Sequence, residues 1–182
     1  MLTWAGALFC LQALASAPVP VAPAATAPDE VARVQPQAQL RGRSLLRFLG
    51  MDIYEARLWT DANFVLARYA QHPFALELEY RRSLSGHLIA RRSVAEMRRQ
   101  GDFSAEQTAQ WEARMQALFP DVQAGDRITG IYAPGVGARF LHNGRLLGEA
   151  SDPLFARLFF GIWLSPETSE PQMRCALAAC TP

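Results

Sequence analysis

The chain has 182 residues, half of them hydrophobic, which suits one domain with a proper core. Its 18 basic and 17 acidic residues leave a net charge of +1 without a long block of either sign, so nothing in the composition marks a nucleic-acid surface. Every basic residue is arginine. The lack of lysine removes Schiff-base, phosphate-loop and lysine general-base chemistry and leaves a permanent cation whose planar fork suits carboxylate or phosphate.

No charged side chain precedes Asp29. Leu2 to Leu11 form an apolar run shorter than the roughly 20 residues of a membrane span, followed by the small-x-small site Ala13-Leu14-Ala15. Residues 1–15 are therefore expected to be a signal peptide cut before Ser16, giving a periplasmic or secreted protein with no membrane span. Residues 16–39, rich in Ala, Pro and Val, are expected to be a linker, and 40–182 the folded domain. In an oxidising compartment Cys175 and Cys180 could pair, provided that the last helix ends near Leu177.

Leu45 to Trp59 reads as a bent pair of strands, with Tyr54, Ala56 and Leu58 on one face and Glu55 and Arg57 on the other. Phe74 to Tyr80 alternates most cleanly, placing Phe74, Leu76, Leu78 and Tyr80 inward and Glu77, Glu79 and Arg81 outward. If the extended chain continues, Arg82 faces the core beside Tyr80 and needs a partner or a ligand; if it ends at Arg81, the side chain runs out to water. A helical pattern covers Gly86 to Gln100, with Ile89, Ser93 and Met97 on one stripe and Arg91, Arg92, Arg98 and Arg99 around it, most of them read as surface.

Ser104 and Gln107 have capping-box spacing ahead of a stripe of Trp111, Met115 and Leu118, which reads as core packing. Two hairpins fill Asp126 to Glu149, with Asn143-Gly144 suited to a type I′ turn. Asp152 as N-cap and Pro153 at the first position open a helix that is apolar nearly all round to Leu164, so it should lie buried across the sheet. Ser169 and Gln172 repeat the capping spacing before a last helix to about Ala178. This order of strands, helices, strands and helices defines an α+β class, an antiparallel sheet with helices packed on one face.

His72, His87 and His142 have no metal-ligand spacing, and no serine sits in a nucleophile elbow, so no metal site and no cofactor are expected. What remains is arginine with tyrosine: Arg47, Tyr54, Tyr80 and Arg82, which could hold a carboxylate or phenolate by charge-assisted hydrogen bonds at the end of an apolar pocket lined by Leu78, Phe160 and Trp163.

The phrases Ile53-Tyr54-Glu55-Ala56-Arg57-Leu58-Trp59, Phe74 to Arg82, Ala95-Glu96-Met97-Arg98-Arg99 and the run from Gly125 to Leu177 together resemble the bacterial chalcone isomerase-like family. The resemblance implies an open-faced β-sandwich with its ligand between sheet and helices. It also implies a precedent, since fatty-acid-binding members use an arginine and a tyrosine on this fold. The plant enzymes carry a threonine where Leu49 stands and an active-site lysine that a lysine-free chain cannot supply; Arg43 and Arg47 lie nearest to their catalytic arginine. The expected function is thus non-catalytic binding of a small amphipathic acid, fatty or aromatic, by a monomer or weak dimer. Two alternatives stand beside it: an isomerase or intramolecular lyase acting on a phenolic or enone substrate, and a structural or partner-binding domain with a filled core.

Overall fold

The computed structural model describes residues 25–180; the expected signal peptide lies outside them. Six strands form one antiparallel sheet in chain order: β1 (Gln39–Phe48), β2 (Met51–Thr60), β3 (Phe74–Tyr80), β4 (Arg127–Ala133), β5 (Gly137–His142) and β6 (Arg145–Ala150). Between β3 and β4 the chain makes α2 (Gly86–Met97) and α3 (Ala105–Leu118), and after β6 it makes α4 (Pro153–Leu164) and α5 (Pro171–Ala178). Ala56, Leu58, Leu76, Leu78, Ile128 and Phe140, all on one side of the pleat, share a single buried cluster with residues of these four helices. The α+β class is as the order of elements indicates, and the open-faced arrangement is as the family resemblance implies.

Local chemistry explains the boundaries. The Ser104 hydroxyl accepts from Gln107 N–H, and the Gln107 side chain accepts from Ser104 N–H, so the capping box that starts α3 is closed. Asp152 caps α4 by accepting from Phe155 N–H at 3.0 Å and also takes the Trp111 indole N–H at 2.9 Å, which ties the start of α4 to the middle of α3. The expected cap at Ser169 is not made. α5 begins at Pro171, after Glu170, because a proline there fixes a helical φ without needing its own N–H.

The opposite face is not simply wet. One turn of helix, α1 (Asp29–Ala32), buries Val31 completely against Trp59, Ala75, Ile131 and Leu141. The linker expected over 16–39 therefore gives way, in its described part, to a segment anchored on the sheet. Its apolar anchor is Val31 with the small side chains of Ala27 and Ala38, too little for periodicity to register. Beside it Arg57 bridges Glu55, Glu77 and Glu79 at 2.8, 2.6 and 2.7 Å, and Arg127 reaches Glu77 at 3.2 Å. Glu77 is 1% exposed, a buried carboxylate held from two neighbouring strands.

Candidate functional site

Between the sheet and helices α2 and α4 lies a cavity of about 330 Å³. Its floor is sheet: Leu46 and Phe48 of β1, Ile53 and Tyr54 of β2, Leu78 and Tyr80 of β3, and Ile128 of β4. Phe159, Ile162 and Trp163 of α4 close one side, and Leu88, Ile89, Arg92, Ser93 and Glu96 of α2 the other. Leu84, Phe119, Ser169 and Glu170 complete the wall. The lining runs from buried residues such as Leu78 and Phe159 to a rim where Phe48 and Leu88 are 58% and 55% exposed.

A bulge shapes the floor. Leu46 pairs with Tyr54 but Arg47 pairs with Asp52, so Ile53 is the extra residue on β2. Both Ile53 and Tyr54 thereby line the cavity, which strict alternation would forbid. Tyr54 sits opposite Tyr80, their rings 5.9 Å apart and nearly perpendicular. The Trp163 indole N–H donates to the Tyr54 hydroxyl oxygen at 3.0 Å, joining α4 to the floor.

Burial pushes the Tyr54 phenol above its ordinary value; the Trp163 hydrogen bond opposes that shift, and the charges of Glu170 and Glu96 add to it. Tyr80 is raised chiefly by burial too, then by Tyr54. Both hydroxyls stay neutral at physiological pH, so they serve as hydrogen-bonding groups and not as bases.

The polar end comes from α2. Ile89, Arg92, Ser93 and Glu96 stand at i, i+3, i+4 and i+7, one stripe of the helix facing the cavity. Arg92 and Glu96 form an ion pair at 2.6 Å, with the arginine side chain 70% exposed and the glutamate 10%. Oε2 of Glu96 is buried without a hydrogen-bond partner among the described residues. Among the described residues the cation nearest that atom is Arg99, at 3.8 Å.

Of the residues singled out in the sequence, Tyr54, Tyr80, Leu78 and Trp163 line this cavity. Three do not. Arg47 lies between Leu46 and Phe48, which both face inward, so it points to the opposite side and pairs with Asp52 at 2.8 Å, 68% exposed. β3 ends at Tyr80 and the chain bends, so Arg82 never takes up the inward position; its guanidinium lies against the Met51 sulfur. Phe160 is fully buried in the sheet core instead, T-shaped to Phe74 and Tyr132 at 5.1 and 5.4 Å and pressed on Gly130, where a Cβ would come within 2.9 Å of its ring. The arginine of the cavity wall is Arg92, exposed as most arginines of this helix were expected to be, but not singled out for the pocket by the sequence. Its i, i+3, i+4, i+7 relation to Ile89, Ser93 and Glu96 was the available signal.

Fold and cavity together define an open-faced sandwich with an apolar chamber between its layers. The chain belongs to the chalcone isomerase-like family, whose sequence profile matches residues 23–177. An uncharacterized protein of Haemophilus influenzae is 30% identical over 111 residues, a stretch that covers 57% of this chain and 52% of that relative. The chain thus spans about half the length of this relative. A fatty-acid binding protein of Arabidopsis thaliana has a similar structure, with a TM-score of 0.60 at 14% identity over 78% of this chain and 87% of that one.

Proposed function

We propose that this protein binds a small amphipathic acid without transforming it, the apolar part in the cavity and the acid group at Arg92. The observation that carries this reading is the chamber of about 330 Å³, left open inside an otherwise packed core and walled mainly by aliphatic and aromatic side chains. That volume is near the lower end of the roughly 300–1,000 Å³ usual for ligand pockets, so the ligand is small or only partly enclosed. The fatty-acid binding activity named for the Arabidopsis neighbour supports the same class of ligand.

Arg92 has guanidinium donors beyond the one that Glu96 occupies, and its exposed stem can swing toward a bound carboxylate at little cost. Glu96 and Glu170 on the same wall disfavour an anion anywhere else in the chamber. A filled, ligand-free core is less well supported, because Arg82 pairs with neither Glu96 nor Glu149: Glu96 holds Arg92, and Glu149 holds Arg139 at 2.7 Å.

The test is displacement of a fluorescent acyl probe from the purified full chain, read with a panel of fatty and aromatic acids, beside native mass spectrometry for any co-purified acid. Saturable binding that Leu78→Trp abolishes is the expected result; a wild-type chain that takes up neither probe nor acid would refute the reading. The charge-free apolar start of the chain supports an exported setting, which the N-terminal sequence of the protein recovered from an exporting host would check.

A further inference from the structure

Two hairpins of this sheet turn through the same backbone shape with different residues. Asn143-Gly144, between β5 and β6, has φ of 49° and 79°; Leu49-Gly50, between β1 and β2, has 49° and 76°. Asparagine accepts the left-handed region readily, whereas leucine is strained there. Leu49 is also 82% exposed, so it has neither a relaxed backbone nor a buried side chain. Strain kept in a position where a polar residue would relieve it points to use of that side chain by something outside the fold.

Leu49 is not isolated. Phe48 and Met51 beside it are 58% and 42% exposed, and Leu88 at the start of α2 is 55% exposed. Phe48 and Leu88 also form the outer lining of the cavity, so this apolar patch is the rim of its mouth. Arginines flank it. Arg47 is offset by Asp52 and Arg92 by Glu96, and Glu170 is a further carboxylate of the cavity wall. Arg82, against Met51, and Arg91, one turn along α2 from Leu88, contact no carboxylate among the described residues.

We infer that the β1–β2 tip, Phe48 to Met51, docks with Leu88 into the headgroup layer of an anionic lipid bilayer, with Arg82 and Arg91 on lipid phosphates. A few projecting apolar side chains with two unpaired arginines beside them match the shallow depth and negative charge of that layer. The rim of the cavity then opens onto the hydrocarbon boundary, where an amphipathic acid resides. That transfer step rests on the ligand-binding reading above, whereas the docking itself does not.

The experiment is co-sedimentation of the full chain with phosphatidylglycerol-containing vesicles and with pure phosphatidylcholine vesicles. Wild type is expected to bind the anionic vesicles, less so as salt rises. Leu49→Asn should bind them about tenfold more weakly, the loss expected for one leucine side chain left in water. Its melting temperature should be unchanged or higher, because the turn is relieved. Arg82→Gln with Arg91→Gln should remove the preference for anionic lipid. No binding by wild type, or equal binding by Leu49→Asn, overturns the proposal. So does a wild-type dimer in analytical ultracentrifugation that Leu49→Asn dissociates without changing vesicle binding, since the patch would then join two copies of this chain. The acyl probe, added from solution to wild type and to Leu49→Asn, separates the two readings: failure to take it up refutes the pocket, and only the vesicle results bear on the docking.

Discussion

The indole N–H of Trp163 and the hydroxyl of Tyr54, 109 residues apart in the chain, meet at 3.0 Å across the base of the cavity. This bond satisfies two polar atoms in apolar surroundings and fixes the distance between α4 and the sheet. Tyr54→Phe leaves the indole N–H without its acceptor and is expected to destabilise the fold by about 1–2 kcal/mol. Trp163→Phe removes the donor as well as ring area. In a double-mutant cycle by urea unfolding, the pair should show a coupling of about 1 kcal/mol; additive effects would mean that the bond contributes nothing.

Arg92 and Glu96 should move acid binding in opposite directions. Arg92→Ala removes the only guanidinium of the cavity wall and is expected to weaken binding of a carboxylate probe about tenfold, the usual worth of a charge-assisted hydrogen bond. Glu96→Gln frees Arg92 from its 2.6 Å partner, so the same probe should bind more tightly. An uncharged alcohol of equal chain length is the control, and it should respond little to either change.

The carboxylates on the outer face set the acid limit of the fold. Burial alone would raise the Glu55 carboxyl, but Arg57 and Arg81 overcome this and hold it below its ordinary value of 4.5. A carboxyl depressed in the folded state contributes stability that is complete above the unfolded value and lost as pH falls through the folded one. Melting temperature should therefore be flat near neutrality and drop below about pH 4.5, and Glu55→Gln should flatten that drop. Glu77→Ala, which strips Arg57 and Arg127 of their shared buried partner, is expected to cost about 3 kcal/mol at neutral pH.

Gly130 is required by Phe160. A methyl group there would lie 2.9 Å from two ring atoms, with Phe140 3.4 Å away. Gly130→Ala should destabilise by about 1–3 kcal/mol through overpacking, measured by thermal unfolding.

At the C-terminal end, α5 stops at Ala178 and Ala179 takes a left-handed conformation, which returns Cys180 N–H to the Cys175 carbonyl oxygen at 3.0 Å. The break in the helix turns the free Cys180 back toward the free Cys175, and the neighbouring Cys180 thiol, then burial, raises the Cys175 thiol above its ordinary value. Mild oxidation should form an intramolecular Cys175–Cys180 disulfide, read as a loss of two mass units and of two titratable thiols. Mixed dimers in its place would contradict the proximity.

The sequence by itself determined the inward faces of β2 and β3, the two hairpins of β4 to β6, the capped starts of α3 and α4, and the burial of α4, because each rests on a local period, a turn pair or a single capping residue. Those signals need no knowledge of distant neighbours. Leu78 and Tyr80 are placed by alternation, and Trp163 by lying on an apolar helix. Which arginine reaches the cavity was decided only by tertiary structure. Regular alternation between inward Leu46 and Phe48 turns Arg47 outward, and a strand that stops at Tyr80 keeps Arg82 from the inward face. Arg92 and Glu96 gain their place because α2 packs with that stripe toward the chamber, a placement that helical period alone does not contain. The chamber itself is a gap between layers, fixed by how far the Trp163–Tyr54 bond and the Phe160–Gly130 contact let α4 approach the sheet. No single segment of the chain specifies that separation.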